Sequence, residues 1–127
     1  METEAIKVVE KMFAAFTSGD LEKFGETISD DTLWIYHGTT EIPKSTFEGK
    51  DSATNFMRNI LTRTDMLNFE PLQFICENKM VVVIGQEHQR VKSSGKELMQ
   101  KWVQIYTVEN NLITRMEEFA ASEVVKH

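Results

Sequence analysis

Apolar residues near the N-terminus recur at helical intervals. Ile6, Val9, Phe13 and Phe16 are spaced by three, four and three residues, which makes one stripe of an amphipathic helix. Ser18-Gly19-Asp20 follows, with Gly19 suited to a helix C-terminus and Asp20 to an N-cap. A short second helix is expected to carry Leu21, Phe24 and Ile28 on one face. After Ser29-Asp30-Asp31 the β-branched and aromatic run Thr32–His37 predicts a strand. Gly38 to Gly49 shows no periodicity and reads as a long loop of the kind that rims a site. Ala53, Phe56, Met57, Ile60 and Leu61 then return to the helical pattern.

From about Asn68 onward the pattern is that of an antiparallel meander. Phe69–Cys76 is a strand whose Pro71 is tolerable at an edge. Glu77-Asn78-Lys79 turns into Met80–Val91, and Ser93-Ser94-Gly95 turns into Glu97–Val108. Asn110-Asn111 suits a type I′ hairpin, because both central positions need positive φ. Leu112–Phe119 is the last strand, before a short polar tail. Strands of about twelve residues exceed the usual five or six and must twist and bend to stay in a small domain. The fold class is therefore α+β: a cone with three N-terminal helices packed against a strongly curved, mostly antiparallel sheet.

Length and composition narrow the function classes. The 127 residues make one domain, 1–127, and the 41% apolar and 27% charged fractions are ordinary for a soluble globular protein. The net charge of −6, with no basic stripe, argues against nucleic acid and anionic membrane as partners. The longest apolar runs, Met12–Phe16 and Met80–Ile84, fall far short of the ~20 residues of a membrane span. The charged start Met1-Glu-Thr-Glu is unlike a signal peptide, and Cys76 has no second cysteine to pair with, so the cytoplasm is the expected location.

Candidate chemistry lies mainly on the strands. Alternation puts Trp102, Gln104 and Tyr106 on one face of their strand and Val103, Ile105 and Thr107 on the other. Two large aromatics beside an amide suit a pocket, although core residues with satisfied polar tips are the simpler reading. Trp34 and Tyr36 form a similar pair, and a tyrosine hydroxyl there would serve as a donor to a carbonyl or oxyanion. His37 and His88 are the internal histidines. In Gln86–Arg90, alternation puts Glu87 and Gln89 on the face opposite His88, and exposed polar sheet positions account for the whole segment. Arg115 and Glu117 share a face and are expected to pair, while a buried Glu118 would have a raised pKa. No spacing of His, Cys and Glu suggests a metal site, the glycines form no phosphate loop, and no cofactor is expected.

The chain resembles the SnoaL-like branch of the nuclear-transport-factor-2-like superfamily, which includes the steroid delta-isomerases. The resemblance runs from Ile6 to about Val125 and rests on Ser18-Gly19-Asp20-Leu21, Asp30-Asp31-Thr32-Leu33-Trp34 and Phe47-Glu48-Gly49-Lys50 before a helix with Phe56. Val81–Gly85, Gly95, Trp102-Val103 and Glu117-Glu118-Phe119 complete it. It implies a sheet curved around a helix, an apolar pocket at the open end, and a homodimer through the sheet face. Ketosteroid isomerase illustrates the enzyme logic, with an Asp base beside a Tyr and a protonated Asp. In this chain the isomerase base position falls on Tyr36, a position often His falls on Gln104, and an expected acid falls on Ala121.

Two functional readings stay open, with a third behind them. In the first, an isomerase or cyclase acts on an apolar carbonyl compound by general acid–base catalysis. Tyr36 polarises the carbonyl, Gln104 orients it, Glu118 or His37 moves the proton, and Trp34, Phe16, Phe56, Trp102 and Tyr106 bind the ligand. Lyase-like or hydrolase-like chemistry is a variant of this reading. In the second, the same pocket binds a small apolar ligand without turnover, because the usual acidic positions are lost. In the third, the domain is a homodimerising interaction module that uses Val103, Ile105 and Thr107.

Overall fold

The first helix, α1 (Glu2–Ser18), stops where Gly19 adopts a φ of +74°, and Asp20 caps the next helix by accepting a hydrogen bond from the Lys23 N–H at 3.0 Å. That helix, α2 (Leu21–Glu26), leads into β1 (Ile28–Tyr36), β2 (Ser45–Glu48) and α3 (Lys50–Arg63). Four long strands follow: β3 (Thr64–Glu77), β4 (Met80–Val91), β5 (Glu97–Glu109) and β6 (Leu112–Val124). The computed structural model describes residues 2–126 of this arrangement.

All six strands join one sheet in the order β2-β1-β6-β5-β4-β3. Neighbours are antiparallel except β1 and β6, which run parallel. The sheet curves around the helices: α1 packs on β3 through β6, and α3 on β1, β2 and β3. Phe13 of α1 stands at the centre, with its ring within about 6.3 Å of Phe69, Phe74, Trp102 and Tyr106. Trp34 is buried between Phe24 and Tyr106, and its indole N–H donates to Thr32 Oγ1 at 3.1 Å. Thr32 in turn donates to the carbonyl of Ile113 at 2.9 Å, beside the irregularity where β1 joins β6.

The sequence pattern predicts most of these elements, and four details differ. Ile28 does not extend the face of α2; it opens β1, fully buried and paired with Ile113. The 38–49 loop contains β2, which pairs with β1 through Trp34 and Phe47. Strand β3 starts at Thr64 rather than Phe69, directly after α3. The segment expected to be a polar tail instead continues β6 along β5 as far as the Leu98–Val124 pair. Both central residues of the Asn110-Asn111 turn have positive φ, 52° and 61°. Among the described residues no helix is long and apolar enough to cross a membrane.

Candidate functional site

The open end of the cone encloses a cavity of about 370 Å³. One wall is apolar and comes from α1 and α3, through Met12, Phe13, Phe16, Phe56, Met57 and Ile60. The opposite wall is the concave face of the sheet, which is polar where it faces the cavity. It presents Tyr36 from β1, Glu87 and Gln89 from β4, Gln100, Gln104 and Tyr106 from β5, and Glu118 from β6. Strand alternation brings them together, because residues i and i+2 share a face and the register sets Glu118 opposite Gln104 and beside Tyr36.

Three side chains at the floor form a hydrogen-bonded chain. The Tyr106 hydroxyl donates to Gln104 Oε1 at 2.6 Å, and Gln104 Nε2 donates to Glu118 Oε1 at 2.6 Å. Gln104 Oε1 can only accept, so the Tyr106 hydroxyl donates to it and fixes the amide with its N–H toward Glu118. Glu118 is 6% exposed, and burial pushes its carboxyl up to about 8, against the lowering effect of Gln104 and with a further rise from the charge of Glu87. Glu87 faces the same cavity opposite Gln100, whose Nε2 lies 3.4 Å from Glu87 Oε2. Burial raises Glu87 to about 7, opposed by Gln100 and by the nearby Trp102 indole. That indole N–H is buried and points toward Glu87 without full hydrogen-bond geometry. The phenols of Tyr36 and Tyr106 are held well above their ordinary pKa by burial first and by Glu118 next, so both remain protonated donors.

The cavity includes Tyr36, Gln104, Glu118, Trp34, Phe16, Phe56 and Tyr106 in its lining, and leaves two of the expected site residues outside. His37 follows Tyr36 and so points to the outer face, where Nε2 lies 2.6 Å from Glu117 Oε2 and the ring stacks on Phe119 at 4.3 Å. Glu117 therefore pairs with His37 rather than Arg115. Trp102 is a core residue: its ring stacks on Phe69 at 5.5 Å and lies over Gly85, where a Cβ would come within 2.4 Å of the indole. Ala121 is exposed on the outer face, so the residue type at that position has no bearing on the cavity.

Glu87 and Gln89 were not expected in the site. Their strand alternates Val81, Val83 and Gly85 with exposed or partly buried residues, and continuing that alternation places Glu87 and Gln89 on the buried side. The signal was present in the apolar half of the strand. His88, on the outer side, pairs with Glu97 at 2.7 Å. The mouth is bridged by Lys96 Nζ and Glu41 Oε2 at 2.9 Å, and Ser122 Oγ bonds Thr39 Oγ1 at 2.6 Å to tie the 38–44 loop to β6. Among the described residues no group of His, Cys, Asp and Glu could hold a metal ion.

The SnoaL-like domain model matches residues 9–116. Among solved structures, an NTF2-like protein of Burkholderia xenovorans LB400 is 24% identical with a TM-score of 0.84, over 94% of this chain and 91% of that one. A putative isomerase of Bacillus subtilis is 14% identical with a TM-score of 0.78, over 95% and 87%. An LEH-like epoxide hydrolase of M. tuberculosis is 16% identical with a TM-score of 0.75, over 96% and 84%. Likeness at these identities speaks for the fold. No curated protein matches the chain.

Proposed function

Because the chain belongs to the SnoaL-like domain family, a family whose cone can house a site but does not dictate its chemistry, we propose that it isomerises or cyclises a small, largely apolar carbonyl compound by general acid–base catalysis. The observation that carries this reading is the presence of two carboxyls, Glu87 and Glu118, in one apolar cavity with pKa values raised to about 7 and about 8. Values this near neutrality let either carboxyl take or give a proton at pH 7. We assign the roles by neighbours: Glu118 lies beside the Tyr36 hydroxyl, a second donor, and Glu87 does not. Glu118 is mainly protonated and donates a hydrogen bond to the carbonyl oxygen, alongside the Tyr36 hydroxyl. Glu87 is partly ionised and removes the proton on the carbon next to that carbonyl.

The C–H electrons then form the carbon–carbon double bond of an enolate as the carbonyl π pair moves onto its oxygen, which Glu118 and Tyr36 hold by donating hydrogen bonds. Where the substrate carries a double bond one carbon further from the carbonyl, the intermediate is a dienolate. Returning the proton from Glu87 to its far carbon, while the oxygen pair re-forms the carbonyl, completes an isomerisation. Attack of the enolate carbon on a second carbonyl of the same molecule closes a ring and re-forms the first carbonyl, the new alkoxide taking the proton back from Glu87. Gln104, fixed by Tyr106, orients Glu118 rather than touching the substrate. His37 has no part in this scheme, and Glu87 takes the role of base.

A second reading, ligand binding without turnover, is favoured by one observation: Tyr36 and Gln104 stand where the resemblance places an acid or base. Both readings need the cavity to admit a ligand. Thermal unfolding of the purified protein with cyclic ketones, lactones, epoxides and steroids tests that need. A ligand at 100 times its Kd stabilises the native state by about 2.7 kcal/mol, a shift of several degrees at this size. A stabilising ketone that is then turned over supports the enzyme, a stabilising ketone left unchanged supports the binder, and no stabilisation by any compound overturns both.

A further inference from the structure

The concave face carries a polar group that the proposed chemistry does not use. Gln89 is 6% exposed and lines the cavity. Among the described residues its carboxamide has no hydrogen-bond partner, whereas the two other glutamines of the wall are engaged, Gln100 toward Glu87 and Gln104 with Tyr106 and Glu118. Its register neighbours on the adjoining strands are Met66 and Leu98, both apolar, so the sheet itself offers it nothing to bond. The amide is not sealed in the core: among the described residues the fully buried polar side-chain atoms without a partner are Ser29 Oγ and Trp102 Nε1. The Gln89 amide therefore opens onto the cavity, at a strand position that would ordinarily be apolar. An apolar residue at 89 would pack against Met66 and Leu98 as the valines at 81 and 83 pack in the same face. The unpartnered amide therefore points to a partner that arrives with the ligand.

Position and charge define that partner. Gln89 stands two residues along β4 from Glu87 toward the mouth, a separation of about 6.7 Å along a strand. The cavity interior carries two carboxyls, and its lining cation, Lys96, is already paired with Glu41, so an anionic group is disfavoured there. A carboxamide presents a donor and an acceptor side by side and is matched by a neutral group that does the same.

We propose that Gln89 is a specificity subsite, which selects ligands bearing a neutral donor–acceptor group, a carboxamide above all, four or five bonds from the carbon that Glu87 deprotonates. The proposal rests on the carbonyl reading above for the place of the reacting carbon. It adds to that reading a second polar end on an otherwise apolar molecule. A site that can hydrogen-bond such a group discriminates against an analogue that lacks it, because the apolar analogue displaces water from the amide and returns no hydrogen bond.

The test uses two ketones of nearly equal shape, 2-(4-oxocyclohexyl)acetamide and 4-isobutylcyclohexanone. Affinity is measured by calorimetry, and exchange of the α-protons with deuterium is followed by NMR. The wild type is expected to bind the amide at least tenfold more tightly than the isobutyl ketone, and Gln89→Leu to abolish or invert that ratio while its cooperative unfolding transition is retained. Gln89→Glu, which keeps the length but adds a charge, is expected to weaken both. An affinity ratio that is the same in wild type and Gln89→Leu overturns the subsite and leaves the Glu87 assignment standing. A ratio that shifts as expected without any exchange upholds the subsite and overturns the enolisation. Failure of the wild type to bind either ketone overturns the subsite together with the reading on which it rests.

Discussion

Gln104 Nε2 donates to Glu118 Oε1 at 2.6 Å. The interaction stabilises the ionised carboxyl against the burial that raises it. The Tyr106 hydroxyl holds the other end of the amide, so the orientation of Gln104 is decided one residue further from the cavity mouth. Tyr106→Phe frees the amide to turn its oxygen toward Glu118, and the Glu118 pKa is expected to rise above about 8. The lost buried hydrogen bond costs about 1 kcal/mol of stability. Carbon-detected NMR titration of the Glu118 carboxyl reads the shift, and an unchanged midpoint would contradict the orienting role.

Stability is expected to fall as pH rises. Both carboxyls have native pKa values above the 4.5 they hold when exposed, about 7 for Glu87 and about 8 for Glu118. Between pH 4.5 and 8 the native state therefore binds more protons than the unfolded state, and linkage makes the free energy of unfolding decline with pH. The contribution is whole below about pH 4.5 and is lost as pH passes through 7 and 8. Glu118→Gln, neutral throughout, is expected to flatten this decline and to exceed the wild type in stability at pH 8.5. Urea unfolding at pH 5, 7 and 8.5 checks both; a wild type that gains stability across that range would count against the raised carboxyls.

Gly85 lets Trp102 lie on the sheet. A Cβ there would meet the indole at 2.4 Å and the Glu70 carbonyl oxygen at 2.7 Å, and the second contact is with backbone. Gly85→Ala is expected to destabilise the protein by about 1–3 kcal/mol, the usual range for overpacking. The Trp102 near-ultraviolet circular dichroism should change with it. Thermal unfolding followed by that signal is the direct reading, and a Tm within a degree of the wild type would show that the strand gives way easily.

His37 faces outward with Glu117 and Phe119, away from the cavity. His37→Gln is therefore expected to leave the ketone affinity of the cavity within about twofold of the wild type, as read by calorimetry. A loss of tenfold or more would bring His37 back into the site.

The parts of the fold legible in the sequence are those where one physical rule acts alone. The Ile6-Val9-Phe13-Phe16 stripe predicts α1, and Asn110-Asn111 predicts its turn from the positive φ that it requires. Ser45–Glu48 was not legible as a strand, because four residues carry little alternation and β2 exists through its pairing with β1. Ile28 misleads for a related reason: it continues the spacing of α2, yet burial against Ile113 makes it the first residue of β1.

Alternation alone groups Trp34 with Tyr36 and Gln104 with Tyr106 on single strand faces, but which face is inside, and that Glu118 joins them in the cavity lining, comes only with the folded sheet. Glu87 was hidden by composition. In Gln86-Glu87-His88-Gln89-Arg90 every residue is polar, so no apolar neighbour marks which face is inside. The inside is set by Val81, Val83 and Gly85 several residues earlier. His37 and Trp102 misled because residue type suggests chemistry, whereas parity along β1 and the gap above Gly85 decide where each side chain goes.

In the proposed chemistry Glu87 and Glu118 act as base and acid on a carbonyl compound inside the cone. The most direct measurement is the rate of α-proton exchange into deuterium oxide for a cyclic ketone shown to bind, with wild type, Glu87→Gln and Glu118→Gln compared at pH 7. Exchange is expected well above buffer for the wild type, with a loss of about 10²- to 10⁴-fold in Glu87→Gln and affinity retained. Exchange that proceeds equally well without the Glu87 carboxyl, or a bound ketone that the wild type leaves unexchanged, would contradict the proposed chemistry.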